Sequence, residues 1–482
     1  MLKRQDSEAR YQLSVVSLDE LVPSDHLVRK IEKAIDFTFI YDLVKDKYSQ
    51  DNGRPSVDPV VLIKIVFIQY LFGIKSMRQT IKELETNVAY RWFIGYDFSQ
   101  PIPHFSTFGK NYARRFQDTD LFETIFSHIL GEALKHRFVN PSVMFIDSTH
   151  VKANANKKKY RKTLVEQEPK KYLSYLTEEL NQDRIDHGKK PLPKKSESIK
   201  KEVKLSTTDP DSGWFIKDEK ERLFAYSFHA ASDKNGFILS AKVTAANVHD
   251  SQMFQDVLSQ AIHQVGKPYA VAVDAGYKTP YIAKILITSG IRPVMPYTRP
   301  RTKDGFLKRY EYAYDEYYDC YVCPANEILS YETTTREGYR MYRSNPSICK
   351  DCSFRNQCTN SKDSVKKINR HIWTEYIEEA DHLRHTPKNK EIYSRRKETI
   401  ERVFADLKEK HGLRWTTLRG IKKVTMQVML VFASMNLKKL ATWLWNPEKE
   451  KRKLLQLLFL PTKSKTNSSY ISSIRRVCPQ SE

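Results

Sequence analysis

The alternation of apolar and polar positions divides the chain into a helical first quarter and a mixed remainder. PVVLIKIVFIQYLF (59–72) opens on Pro59, which suits a first helical turn, and is apolar on every side; this predicts a buried helix. SMRQTIKELETNVAYRWFIG (76–95) has helical period with Ser76 as N-cap, and HFSTFGKNYARRF (104–116) predicts another helix start. Exposed Arg78, Lys82, Arg91, Lys110, Arg114 and Arg115 on such short helices suit a DNA-binding module, and a dimerisation or packing domain fits equally well.

Beyond residue 138 the period shortens to that of strands. PSVMFIDST (141–149), LFAYSFHAAS (223–232) and GFILSAKVTAAN (236–247) are expected strands, the last two joined by a hairpin at Asn235-Gly236. A helix (251–265), a strand YAVAVDAGY (269–277), a helix (280–290) and a strand IRPVMPY (291–297) complete an α/β layer. VTMQVMLVFASMNLKKLATWLW (424–445) is broken by Lys438 and Lys439, so it reads as a buried helix rather than a bilayer span. Two segments interrupt the layer: lysine-rich 152–222, with KKPLPKKSESIKKEVK (189–204) expected to be a solvated arm, and 298–385, which holds five of the six cysteines.

Charge narrows the partner. The chain has 81 Lys and Arg against 58 Asp and Glu, a formal excess of +23, which is the footprint of a protein that meets a polyanion, nucleic acid first. The charged start MLKRQDSEAR leads into no apolar signal segment, so an intracellular, non-membrane protein is expected.

The candidate chemistry lies in two strands of one design. VMFID ends on Asp147 and AVAVD ends on Asp274. In a parallel pair both acids emerge at the same sheet edge, where they repel unless a cation separates them. Mg²⁺ or Mn²⁺ suits such oxygen ligands and leaves room for water and phosphate. A third acid stands in EIYSRRKETIERVFADLKEKHGLRW (391–415), where Glu398 and Glu401 compete. Glu401 has Lys397 four residues before it, Phe404 three after and Lys408 seven after, all on one helix face.

In FIDSTHVKANAN, in TAANVHDS followed by AVDAGY, and in RRKETIERVFADLKEKHGLR, residues 1–445 resemble the DDE transposases of bacterial insertion sequences. The resemblance implies an RNase H-like mixed sheet flanked by helices, with Asp147, Asp274 and Glu401 as catalytic acids. It implies Mg²⁺-dependent cleavage at element ends and transfer of the freed 3′-OH into target DNA, by a nucleoid-associated cytoplasmic homodimer. Relatives often carry Tyr, two residues, Arg, three residues, Glu, six residues, Lys. Here Lys408 fits that interval, whereas Lys397 occupies the arginine position and Arg396 stands beside it. Lys157, Lys158 and Lys159, with Arg396, Lys397 and Lys408, are expected at the DNA backbone, where they add affinity without reading sequence. His249 and Asp250 are expected to cap the helix that starts at Ser251. A non-catalytic transposase-derived regulator and a structure-selective nuclease are the alternatives.

Cys320 and Cys323, then Cys349 and Cys352, form two C-x2-C pairs, with Cys358 close behind. That spacing predicts a zinc ribbon, with Cys358 as an alternative ligand. The aromatic run YEYAYDEYYDCY (310–321) is expected to cover it. The expected organisation is therefore a helical N-terminal domain (1–120), an RNase H-like domain (121–297), a cysteine-rich insertion (298–385), C-terminal catalytic helices (386–446) and a basic tail (447–482).

Overall fold

The computed structural model describes residues 8–13, 15–49, 56–166, 173–193, 200–217, 221–299 and 302–446; the basic tail lies outside the described residues, as does part of the lysine-rich arm. In chain order the strands are β1 (Val143–Lys152), β2 (Tyr160–Glu166), β3 (Lys200–Ser206), β4 (Gly213–Ile216), β5 (Arg222–Asp233), β6 (Ile238–Ala245), β7 (Ala270–Val273) and β8 (Arg292–Val294). The cysteine-rich segment adds β9 (Ala313–Asp315), β10 (Cys320–Val322), β11 (Ile328–Thr334), β12 (Tyr339–Ser344) and β13 (Lys367–His371).

The main sheet runs β4-β5-β1-β7-β8, with β6 also paired to β5. β1 is antiparallel to β5 and parallel to β7, and β7 is parallel to β8, so the sheet is mixed. The expected hairpin forms: Gly236 sits at φ +74°, and the Asp233 carboxylate accepts the N–H groups of Asn235 at 3.0 Å and Phe237 at 2.7 Å. A left-handed residue flanked by a carboxylate that satisfies the turn's donors leaves little freedom in register.

Helix Pro59–Leu71 begins as its sequence dictates, with Asp58 accepting from Val60 N–H at 2.7 Å, and it is buried almost throughout. Ser76 caps the next helix, but that segment does not run on to residue 95. It ends at Thr86, and Asn87 accepts from Tyr90 N–H at 3.1 Å to start a second helix, Val88–Ile94. Arg91, expected at the surface, is buried and donates to the carbonyls of Glu85, Asp97 and Gln100, groups that the turn would otherwise leave unpaired.

Helix Ile421–Leu444 is the axle of the molecule. It packs on helices Leu27–Ala34, Pro59–Leu71 and Leu121–Lys135 on one side and on β6 on the other. N-terminal helices and main sheet thus share one continuous apolar core. Within that core Asn436 pairs with β6, accepting from Ile238 N–H at 2.9 Å and donating to Ile238 C=O at 2.8 Å.

The lysine-rich interruption is not only a solvated arm. β2 and β3 form a hairpin, and between them helix Leu173–Asp186 docks on the cysteine-rich module. Leu176 and Leu180 pack with Trp373 in a small separate core, and buried Asp183 pairs with Arg340 at 2.6 Å and accepts from Thr334. The module is an antiparallel sheet, β13-β12-β11-β10-β9, around Tyr312, Tyr321, Leu329, Tyr342 and Ile368.

Candidate active site

β1 does not end on Asp147, as its apolar run predicted, but continues to Lys152 because β5 pairs with it over its whole length, to Lys152↔Ala225. What ends at Ile146↔Val273 is the parallel pairing with β7. Asp147 and Asp274 are therefore the first residues past the last parallel pair, side by side where the sheet opens. Both acids stand at the carboxyl end of parallel strands, the place where α/β sheets locate their chemistry.

Asp147 is mostly buried. One carboxylate oxygen accepts from Ser148 N–H at 2.8 Å and the other from the Arg396 guanidinium at 2.6 Å. Burial pushes its pKa up to about 6; Arg396 and the Ser148 N–H oppose that rise, and the charges of Asp274 and Asp250 add to it. Arg396, expected at the DNA backbone, is itself buried, so its charge is directed inward to the acid rather than outward to solvent.

Asp250 is a carboxylate that the sequence reading assigned to a cap. The capping is done by His249, whose ring accepts from Ser251 N–H at 3.3 Å. Asp250 instead accepts from Ser227 at 3.3 Å and stands 3.7 Å from buried His229, whose pKa burial lowers to about 4. Tyr277 lies among these acids; burial first, then Asp250, Asp147 and Asp274, hold its phenol well above the usual range. The local signal for Asp250 was present in NVHDS but indistinguishable from a helix start.

Glu401 lies exposed in the first turn of helix Ile400–Glu409, which packs on β1. Glu398 is exposed one turn earlier. Among the described residues no group of three or more His, Cys, Asp or Glu side chains stands close enough to hold a metal ion. The charges of Asp274 and Asp250 both act on Asp147, and Glu401 lies on the helix that packs on β1.

Next to the acids opens a cleft of about 570 Å³ lined by Ser148, His150, Lys217, Lys408, Arg414 and Trp415 among others. Burial lowers the pKa of Lys408, and the charges of Lys217 and Arg414 lower it further. Glu221, which lines the same cleft, and Glu409 oppose that lowering, and the cleft's cations outnumber its one carboxylate, which favours an anion there. Lys157, Lys158 and Lys159 are exposed, and the first two line a separate groove with Tyr160, Lys204, Trp214 and Arg222; Lys397 is exposed as well. The polar stretch after Asp147 also has a structural task, since Asn154 donates to Thr417 C=O at 2.7 Å and its own carbonyl accepts from Arg419.

The cysteines are free thiols and group differently from their spacing. Burial pushes the Cys358 thiol up, and Cys349 and Cys323 add to that rise, while Tyr312, 3.1 Å from its sulfur, and Lys366 oppose it. Cys320 is buried in β10 beside Asp315 and Asp319, which raise its pKa after burial has done so. Cys358, rather than Cys320, thus shares an environment with Cys323 and Cys349.

Two family models match the chain. Residues 16–114 match the transposase domain DUF772, and residues 322–441 match the Transposase DDE domain. The first match covers most of the N-terminal helices. The second runs from β10 through the later cysteines and Glu401 into helix Ile421–Leu444, and it does not extend to Asp147 or Asp274. No curated protein matches the chain. Among the described residues no helix is long and apolar enough to cross a membrane.

Proposed function

With transposase domains matched in both its first and its last thirds, which sets the chain among the DDE transposases of insertion sequences, we propose that it cuts DNA at the ends of its element and joins the freed 3′-OH to a target, acting as a dimer. The observation that carries this reading is the placement of Asp147 and Asp274 side by side at the carboxyl ends of β1 and β7. The strand order, with three antiparallel strands β6-β5-β1 followed by parallel β7 and β8, supports an RNase H-like sheet.

Asp147 and Asp274 have the donor chemistry for a hard divalent cation, two adjacent carboxylates of which the Asp274 charge raises the pKa of Asp147, and Glu401 is the third acid. Asp147, Asp274 and Glu401 would hold Mg²⁺ or Mn²⁺, and the ion would supply Lewis-acid polarisation of the scissile phosphate and a lowered pKa for the attacking water or 3′-OH. Arg396 orients Asp147 and keeps it ionised near neutral pH. Lys408, with Lys217 and Arg414, neutralises the phosphodiester beside the acids; Lys397 and Lys157 to Lys159 hold the backbone farther out. Cys323 and Cys349, which act on the Cys358 thiol, with Cys358 itself and Cys352 of the second C-x2-C pair, would supply the thiolates for a structural zinc ion once drawn closer together than they stand here.

The test is incubation of the full chain with DNA carrying the element's terminal repeats and a plasmid target, with Mg²⁺ or with EDTA. Metal-dependent cutting followed by joining supports the proposal. Cutting without joining makes the protein a nuclease, and tight end binding without cutting makes it a regulator.

A further inference from the structure

A groove of about 1000 Å³ on the cysteine-rich module takes none of its lining from β1, β7 or helix Ile400–Glu409. Its floor is rigid and charge-compensated. Tyr314 and Tyr321 pack with ring centroids 5.1 Å apart, Tyr314 donates to Asp319 at 2.6 Å, and Arg370 lies 4.2 Å over the Tyr314 ring. The Arg370 guanidinium is in turn held by Glu378 through two hydrogen bonds of 2.7 and 3.0 Å.

The rim is of another kind. Tyr310 is 78% exposed and Tyr297 54% exposed, with Phe306 partly buried between them in sequence. Arg299, Lys303, Lys308 and Arg309 share the rim with a single carboxylate, Asp304, and Arg299, Lys303 and Arg309 make no ion pair among the described residues. Six tyrosines of the aromatic run were expected to cover the module, but only Tyr312, Tyr314 and Tyr321 do so; Tyr310, Tyr317 and Tyr318 face solvent.

Cations without carboxylate partners suit phosphates, and duplex or single strand would satisfy them equally. Exposed ring faces discriminate between the two. In a duplex the base faces are already stacked, whereas an unpaired strand offers each base to an aromatic side chain. We propose that this groove binds an unpaired DNA strand, with Phe306 and Tyr310 stacking on bases and Arg299, Lys303 and Arg309 on its phosphates. The proposal rests on the transposase reading only for the choice of DNA as the polyanion.

The test is binding by the full chain in EDTA, so that cleavage plays no part, of labelled oligothymidylate and of a duplex of equal length. The double variant Phe306→Ala/Tyr310→Ala should lose at least about ten-fold in affinity for the single strand and keep its affinity for the duplex. Lys303→Ala/Arg309→Ala should lower the single-strand salt slope by about 1.4, as expected for two released phosphate contacts. The inference is overturned if the wild type fails to bind oligothymidylate, or if the ring variant binds it as the wild type does or loses duplex affinity equally. A failed cleavage assay would sink the transposase reading while leaving these binding results intact.

Discussion

Asp147 occupies a buried position that favours its protonated form, whereas the metal binding proposed for it needs the charge. Its pKa of about 6 against an ordinary 3.8 means that the folded chain binds the extra proton between those values. That contribution to stability is full below about 3.8 and lost as pH rises through about 6. Asp147→Asn should therefore gain on the wild type, by at most about 3 kcal/mol between pH 4 and pH 7, in metal-free chemical denaturation. Mg²⁺ should narrow the difference by stabilising only the wild type. Arg396 lowers the same pKa, so Arg396→Ala should move the acid limb of the pH–rate profile upward and Arg396→Lys should move it less. A profile that stays in place in Arg396→Ala would assign the arginine to packing alone.

At the scale of elements, helix Leu173–Asp186 docks through Leu176 and Leu180 on Trp373, through Arg184 on Thr333 and Thr334, and through one buried carboxylate, Asp183. Asp183→Ala leaves partly exposed Arg340 only the longer pairing with Asp319 at 3.8 Å and leaves Thr334 without its acceptor, and should cost about 1–3 kcal/mol locally. Hydrogen exchange should then rise across 173–186 and β12 while β1 and β5 stay protected; unchanged protection would show that Asp183 does not hold the docked helix. In the cysteine-rich module, Cys358→Ser should lose zinc and Cys320→Ser should retain it, read by metal analysis of the purified chain; the reverse result would restore the ligand set that spacing alone suggested. Elements with a local signal were legible in the sequence. Pro59, Ser76 and Asn235-Gly236 start or turn the chain through contacts within four residues, and the two apolar runs before Asp147 and Asp274 needed only each other. The docked helix was not legible, because its burial comes from Trp373 and Arg340, which lie more than 150 residues away. Asp250 was hidden by a shorter-range pairing, since its neighbours Ser227 and His229 belong to β5, the strand before the hairpin, and no local pattern shows which strand residues face it.

Across the whole molecule, the sharing of one core by the N-terminal helices, helix Ile421–Leu444 and the main sheet predicts cooperative unfolding. A chain lacking residues 1–120 should be insoluble, and Asn436→Ala, which leaves both backbone groups of Ile238 unpaired, should destabilise the intact protein by about 1–3 kcal/mol. A soluble, folded truncation would show that the helices form a separate unit. The same continuity packs the helix that carries Glu401 against β1, as the proposed three-acid site requires. The measurement that tests this account most directly compares Mg²⁺-dependent cleavage of element-end DNA by the wild type with that by Asp147→Asn, Asp274→Asn and Glu401→Gln, each first checked for unchanged end binding. We expect each substitution to reduce cleavage at least ~1,000-fold with binding retained. Wild-type cleavage by Asp147→Asn or Asp274→Asn would contradict the assignment of the site.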